Sequence, residues 1–227
     1  MTTYDIAGRT VTMPVQVRDA SAGTVLWDVD ATAAQALLPA DFEVAETAPG
    51  RANLAIALVD YRDNDLGSYL EIGLILFVRP RAGGEEGNFI VHLPVDQEFT
   101  CEAGQRIWGF PKTVESIERV DGDGSTTWTL QMDGELVLRL TMPRGGSDEA
   151  PAMPMTSYTV LDGAPRATAF SQWGKGSQLV IGGEGVTLEL GSHPIAKELE
   201  SLGLPAEPQL STWTEQMQAT FETPRAL

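Results

Sequence analysis

The chain has 227 residues, enough to bury one sizeable hydrophobic core, and its composition predicts a single domain over residues 1–227. Its 15 basic and 32 acidic residues give a formal net charge of −17, which argues against binding to nucleic acid or to anionic membranes, because both attract basic surfaces. The single cysteine, Cys101, cannot form an intrachain disulfide, and residues 1–17 lack a signal-peptide pattern, so the sequence predicts a cytoplasmic protein.

The first half of the chain is predicted to be strand-rich with one short helix. Alternating and β-branched residues predict strands at residues 11–17, 24–29, 53–60, 69–78 and 89–95. Asp30 is suited to cap a helix over residues 31–38, which Pro39 would end. The polar connection 62–67 has the turn chemistry of a hairpin.

The second half continues the pattern of short strands. Strands are predicted at residues 114–120, 126–132, 135–142, 158–161, 178–181 and 186–190. Asp-Gly pairs at 121–124 and 133–134 predict tight hairpins, and residues 143–154 are predicted to form a surface loop. Two short helices are predicted, at 194–202, with Ser192 as its cap, and at 213–221. The succession predicts a mostly β (α+β) fold with few helices, in which a mostly antiparallel sheet is either closed or packed as a sandwich.

Lys112 is one of only three lysines, and it follows the apolar stretch Ile107-Trp108-Gly109-Phe110-Pro111. Burial in such a setting lowers the pKa of a lysine, and the neutral amine can form a Schiff base with a ketone. Trp108 and Phe110 would then exclude water and contact a substrate. The alternative is a lysine at the end of a strand whose ammonium group reaches solvent.

Glu71 lies inside the otherwise apolar stretch 70–78. A carboxylate in such a strand must find a partner or take up a proton. Glu71 is therefore predicted to transfer protons or to orient a substrate. The alternative is a side chain that faces solvent at the edge of a sheet.

Two segments resemble the acetoacetate decarboxylase family. Residues 104–112, Gly-Gln-Arg-Ile-Trp-Gly-Phe-Pro-Lys, are similar to the family segment that carries the Schiff-base lysine, and residues 65–71 are similar to its Gly-x-Tyr-x-Glu segment. The resemblance implies that Lys112 and Glu71 are catalytic and that Tyr69 contacts the substrate. It also implies the acetoacetate decarboxylase-like fold, a curved antiparallel sheet with a barrel-like core and a few flanking helices. Chemistry without a cofactor and a homo-oligomer are further implications of the resemblance.

Two positions depart from the family pattern. Thr113 stands where the decarboxylase has a second lysine, whose charge helps to lower the pKa of the first, so desolvation or a cation from elsewhere would have to act on Lys112. Ile56 is the ungapped counterpart of a second family glutamate, which predicts a more apolar pocket. Both residues are expected at the substrate-binding site.

Further candidates for substrate binding are Arg18 and His92. Arg18 lies near the place of a family arginine and could bind a substrate carboxylate through two hydrogen bonds, although an ion pair with Asp19, or a role for Arg106 instead, is an alternative. His92 is typical of a hydrogen-bonded strand histidine that could still line the pocket. No metal site is predicted, because the two histidines have no ligand partner at a useful spacing.

The residues and the resemblance together predict a cofactor-independent, Schiff-base-forming lyase of the carboxy-lyase type that acts on a small keto acid. The same lysine imine would support an aldolase-dehydratase that condenses or cleaves a pyruvate-type 2-oxo acid with an aldehyde. A non-catalytic small-molecule-binding protein is a third reading, since the second lysine and the second glutamate are missing.

Overall fold

The computed structural model of the protein describes residues 2–227. Its strands, in chain order, are β1 (Thr3–Ile6), β2 (Arg9–Thr12), β3 (Val15–Asp30), β4 (Phe42–Val44), β5 (Glu46–Ala48), β6 (Arg51–Asn64), β7 (Tyr69–Pro80), β8 (Gly87–Val95), β9 (Lys112–Val114), β10 (Ser116–Asp121), β11 (Ser125–Met132), β12 (Glu135–Pro143), β13 (Asp148–Leu161), β14 (Ala164–Ile181), β15 (Thr187–Leu190), β16 (Leu210–Phe221) and β17 (Arg225–Ala226). Its helices are α1 (Ala31–Ala36), α2 (Glu98–Ala103), a π-helix (Gly104–Trp108) and α3 (Pro194–Ser201). Within the described residues, no helix is both long enough and apolar enough to cross a lipid bilayer.

Seven strands close into a barrel in the order β7-β6-β3-β16-β14-β13-β8, and β8 returns to pair with β7. All neighbours are antiparallel except β8 and β13, which run parallel. Closure removes the free sheet edges that would otherwise expose unpaired backbone groups. The barrel confirms the predicted mostly β, barrel-like fold with few helices.

A second sheet, in the order β10-β11-β12-β15, covers part of the outside of the barrel. On β6, Ile56 and Leu58 belong to the hydrophobic cluster shared with Trp128 of this second sheet. Side chains alternate along a barrel strand, and Val59 and Tyr61 of β6 belong to a separate inner cluster. The candidate functional site lies in that inner cluster.

Several local predictions are confirmed. Helix α1 begins at Ala31, and the Asp30 carboxylate accepts a hydrogen bond from the Ala33 amide at 2.8 Å. Asp133 and Gly134 form a two-residue turn between β11 and β12, with φ angles of 52° and 78°. Two positive φ angles define the turn type that Asp-Gly favours in hairpins.

Three local predictions are wrong. Residues 213–221 belong to strand β16 rather than to a helix, because they pair with β14 and β3. The register shift between Thr214 and Met217 puts Trp213 in the cluster shared with the second sheet and Met217 in the inner cluster. Residues 148–154 pair with β14 although the sequence predicted a loop, since this part of β13 is largely exposed and shows no apolar alternation. Helix α3 is capped by His193, whose Nδ1 accepts from the Ile195 amide at 3.2 Å, whereas Ser192 hydrogen-bonds elsewhere.

Candidate active site

Lys112 is the first residue of β9, which pairs in parallel with β8 directly opposite Leu93. The chain reaches it through α2 and the π-helix. Helix α2 is capped by the Gln97 side chain, which accepts from the Thr100 amide at 2.7 Å. The Gln105 amide group then donates to the Lys112 carbonyl at 2.7 Å. These contacts fix the backbone of Lys112 at the inner cluster of the barrel.

The Lys112 ammonium is buried, with 4% of the residue exposed. Its Nζ lies 2.7 Å from Glu71 Oε2 and donates a hydrogen bond to Thr100 Oγ1 at 3.0 Å. It also lies 4.7 Å from the centre of the Tyr69 ring, within the range of a cation–π contact. The predicted burial of Lys112 is confirmed, and the alternative of an ammonium group in solvent is excluded.

Glu71 lies on β7 and is also buried. While its Oε2 contacts Lys112, its Oε1 accepts a hydrogen bond from the Tyr61 hydroxyl at 3.2 Å. Tyr61 and Tyr69 are paired across β6 and β7, and their rings stack at 4.4 Å. The alternative of a solvent-facing glutamate is therefore excluded, and both carboxylate oxygens have a partner.

The protonation of this pair follows from two opposed effects. Burial lowers the pKa of Lys112, but the negative charge of Glu71 raises it, and the net pKa lies above the ordinary value. The apolar setting of Lys112 in the sequence indicated only the lowering effect of burial, because the sequence did not show that the Glu71 carboxylate is the direct partner. Burial also raises the pKa of Tyr61, and the adjacent Glu71 adds to this. Tyr61 is thus a neutral hydrogen-bond donor.

Gly104 makes room for the Lys112 side chain. A Cβ atom at position 104 would lie 2.6 Å from Lys112 Cδ and 2.9 Å from Cε, both shorter than van der Waals contact. The backbone of Gly104 is right-handed helical, with φ −60° and ψ −45°, so no special backbone conformation requires a glycine. The small residue is needed for the close approach of the lysine.

The Lys112–Glu71 pair lines a cavity of about 60 Å³, which is large enough for a few water molecules or a small ligand. The predicted residues Tyr69, Trp108 and Phe110 all line this cavity, which we call the site cavity. The rest of its wall consists of Val15, Val17, Tyr61, Asn64, Leu66, Ile90, Leu93 and Phe221. Lys112 is its only basic lining residue within residues 2–227, so the surroundings of the pair are mainly apolar.

Four residues that were predicted to bind substrate lie outside the site cavity: Arg18, Thr113, Ile56 and His92. Arg18 is half exposed and binds Asp63 and Asp65 at 2.7 and 2.6 Å. Thr113 is exposed, because it follows the inward-facing Lys112 on a strand and its side chain alternates to the other face.

Ile56 and His92 are excluded from the site cavity for different reasons. Ile56 faces the second sheet, on the opposite side of β6 from Val59 and Tyr61, so it does not supply the apolar wall that was predicted. His92 contacts Glu198 at 2.7 Å, in agreement with the simpler prediction of a hydrogen-bonded strand histidine.

Sequence reasoning missed two residues of the site, Tyr61 and Thr100. Tyr61 precedes a hairpin that brings it opposite Tyr69, so the hairpin pairing was the signal that could have found it. Thr100 lies 12 residues before Lys112, on a helix that was not predicted, and no local pattern marks it.

The fold and the site define a class of protein: closed β-barrels that bury a lysine–glutamate pair in an interior cavity. A model of the acetoacetate decarboxylase family matches residues 6–216. The chain therefore belongs to the acetoacetate decarboxylase family, and this membership indicates an enzyme of the lyase type.

Solved structures with the same fold support the family assignment. Acetoacetate decarboxylase from Legionella pneumophila is 18% identical, with 97% of this chain and 91% of that chain covered and a TM-score of 0.69. The enduracididine biosynthesis enzyme MppR complexed with pyruvate is 17% identical, with coverages of 95% and 91% and a TM-score of 0.63. An acetoacetate decarboxylase-like enzyme from Sphingomonas wittichii is 16% identical, with coverages of 97% and 96% and a TM-score of 0.60. At these identities the likeness establishes the fold alone, and no curated protein sequence matches the chain.

Proposed function

We propose that this protein is a Schiff-base-forming lyase that acts on a small keto acid and needs no cofactor, with Lys112 as the imine-forming residue. The observation that carries the proposal is the buried Lys112–Glu71 pair, 2.7 Å apart, beside a mainly apolar cavity. An isolated ion pair of this kind is a weak source of stability, because its desolvation offsets its attraction. Its position at the wall of a cavity favours a chemical role.

Glu71 makes Lys112 reactive by taking its proton. Transfer from Nζ to Oε2 over the 2.7 Å contact converts the pair into a neutral amine and a neutral acid, both of which tolerate an apolar cavity. The amine then adds to the carbonyl carbon of the keto acid. Glu71 returns the proton to the carbonyl oxygen, and it then moves a second proton from the added nitrogen to the same oxygen. The oxygen leaves as water, Glu71 is again a carboxylate, and the nitrogen keeps one proton, so the imine that forms is protonated.

The protonated imine is the electron sink for carbon–carbon bond cleavage. When the bond to the carboxylate breaks, CO2 leaves and the bonding electrons move into the imine, which becomes an enamine. Protonation of the enamine carbon and hydrolysis of the imine by water release the product and regenerate Lys112. The imine nitrogen stabilises the electrons throughout, and for this reason the chemistry requires no cofactor.

The lining of the site cavity favours decarboxylation over the aldolase-dehydratase reaction. An aldolase-dehydratase keeps the substrate carboxylate through the whole cycle and needs a cation to bind it. In the part of the chain that the structure describes, Arg18 points elsewhere and no basic side chain except Lys112 lines the site cavity. Loss of CO2 removes the poorly solvated carboxylate, so a mainly apolar site suits a carboxy-lyase.

Substitution of Lys112 tests the proposal. Lys112→Ala should abolish CO2 release from acetoacetate, and Lys197→Ala, which removes an exposed lysine on α3, should leave it unchanged. Since Lys112→Ala leaves the Glu71 carboxylate buried without its partner, the double variant Lys112→Met/Glu71→Gln provides a folded control. CO2 release by a folded Lys112 variant at the rate of the unsubstituted protein would overturn the proposal.

A further inference from the structure

The interior of the barrel holds a second cavity, of about 100 Å³, which we call the lumen cavity. It shares with the site cavity the lining residues Tyr61, Glu71, Ile90, Leu93, Phe110 and Phe221. The lumen cavity therefore begins at the carboxylate that contacts Lys112. A ligand bound covalently to Lys112 has room to extend in this direction.

Small residues on β6 and β7 keep the lumen cavity open. Ala57 and Gly73 are paired across these two strands, and both line it. Along β7 the wall runs from Glu71 past Gly73 to Ile75, a length of about 13 Å in an extended strand. The lining thus extends about two alternate residues along β7 from Glu71, and it is largely aliphatic and aromatic.

Ser157 of β13 is the polar feature of this wall that lacks a partner. It is 2% exposed, and its Oγ has no hydrogen-bond partner among residues 2–227. Asn88, directly opposite Ser157 in the β8–β13 pairing, and Gln172 of β14 line the same cavity with neutral amide groups. Burial of an unpaired hydroxyl is unfavourable, so the position is suited to a ligand that supplies the missing hydrogen bond.

We infer that the lumen cavity binds the substituent on the carbonyl carbon of the keto acid, and that this substituent is extended, uncharged and mainly apolar, with a hydrogen-bonding group that reaches Ser157. The inference rests on the proposed function, because it assumes that the carbonyl carbon is attached to Lys112. An ionic substituent would find no opposite charge along most of the lumen wall, since Glu71 is the only charged residue of that wall within the described chain. The natural substrate is therefore a 3-oxo acid larger than acetoacetate.

Borohydride trapping measures the preference directly, because reduction turns the imine into a stable amine. We expect 3-oxooctanoate to half-saturate trapping at a concentration about tenfold or more below that of acetoacetate, since the longer chain buries several more methylene groups. Ala57→Leu fills the lumen cavity and should bring the half-saturating concentrations of the two acids close to each other. Ala169→Leu adds the same volume to an exposed position of β14 and should leave the ratio unchanged.

A hydroxylated probe tests the role of Ser157. Ser157→Ala should weaken trapping of 8-hydroxy-3-oxooctanoate about fivefold or more relative to 3-oxooctanoate, because only the first probe carries the group that pairs with Ser157. Thr168→Val removes a second buried and unpaired hydroxyl, which does not line the lumen cavity, and should leave that ratio unchanged.

The outcomes separate the two proposals. Adducts that form on Lys112 with equal half-saturation for acetoacetate and 3-oxooctanoate would overturn the inference about the lumen cavity and leave the proposed function standing. A hydroxyl preference that Ser157→Ala does not reduce would overturn the role of Ser157. Absence of any adduct on Lys112 with either acid would overturn the proposed function itself.

Discussion

At the scale of single residues, the reactivity of the site depends on which member of the Lys112–Glu71 pair holds the proton between them. Burial alone would favour a neutral lysine, whereas the carboxylate 2.7 Å away raises the pKa of Lys112 and keeps the resting pair charged. The apolar stretches and the family resemblance indicated both residues, and a solvent-facing alternative stayed open for each. The sequence did not predict their contact, because their side chains meet only after β7, β8 and β9 have paired.

Glu71→Gln should shift the pH dependence of imine formation. Without the carboxylate, burial is the dominant effect and lowers the pKa of Lys112, so the amine becomes neutral at a lower pH. The midpoint of the trapping rate against pH should therefore move down, while the maximal rate should fall about 100-fold because the proton acceptor is lost. Glu102→Gln, in an exposed ion pair on α2, should move neither quantity. A midpoint that stays in place or moves up would show that Glu71 does not control Lys112.

The helical segment before Lys112 is the element that aims it. Residues 98–108 form α2 and the π-helix, and neither was predicted, because each is shorter than two turns and their aromatic residues pack against the inner cluster. π-Helical turns of this kind often occur at functional sites. In this protein the turn carries Gly104 against the lysine side chain and Trp108 into the wall of the site cavity.

Gly104→Ala tests whether this helix positions Lys112. Alanine is about 1 kcal/mol more favourable than glycine inside a helix, but its Cβ would lie 2.6 Å from Lys112 Cδ. We expect the variant to be destabilised and to lose most imine trapping. In a Lys112→Ala/Glu71→Gln background the clash is absent and no carboxylate is buried without a partner, so the same change should be neutral or stabilising in urea unfolding. An equal loss of stability in both backgrounds would contradict the positioning role.

Strand β16 shows why some elements escape prediction. Its register shifts between Thr214 and Met217 and again before Ala219. Trp213 therefore belongs to the cluster shared with the second sheet, whereas Met217 belongs to the inner cluster. In the sequence Trp213 and Met217 are four residues apart, a spacing that also fits one face of a helix, and the strand does not keep its apolar residues on one face. The outer part of β13 escaped prediction for another reason: its side chains are largely exposed, and backbone pairing with β14 alone defines the strand.

At the scale of the whole molecule, the barrel concentrates groups that resist losing a proton. Tyr61, Tyr69 and Lys112 are buried in one cluster, and the pKa of each lies above its ordinary value of 10.0 for the tyrosines and 10.5 for the lysine. The folded protein thus holds more protons than the unfolded chain at alkaline pH. Their contribution to stability is complete below the ordinary pKa values and is lost as pH rises through the folded ones.

The free energy of unfolding should therefore be nearly constant between pH 7 and pH 9 and should fall above about pH 10, by up to about 1.4 kcal/mol per pH unit for each group. Urea unfolding at several pH values measures this slope. Lys112→Met/Glu71→Gln removes one of the three groups and should have a shallower slope. A stability that is flat or rising above pH 10 would contradict the buried pair.

The antiparallel sheet and its hairpins could be predicted from turn residues and alternation, whereas the barrel was implied by the family resemblance. The Pro-Lys and Tyr-x-Glu segments indicated the centre of the site. The sequence could not predict that Arg18 lies outside the site cavity. Its partner Asp63 lies on the neighbouring strand β6, and its other partner Asp65 lies just after that strand. The homo-oligomer that the family resemblance implies stays a prediction, which sedimentation of the purified protein would test.

Mapping the reduced adduct tests the central claim most directly. The protein would be incubated with acetoacetate, and in parallel with pyruvate, reduced with borohydride, digested and analysed by mass spectrometry. We predict one adduct, on the peptide that contains Lys112, with the larger yield from acetoacetate. Well-folded protein that carries no adduct on Lys112 with either acid, or that is labelled equally at Lys175 and Lys197, would contradict the assignment of Lys112 as the imine-forming residue.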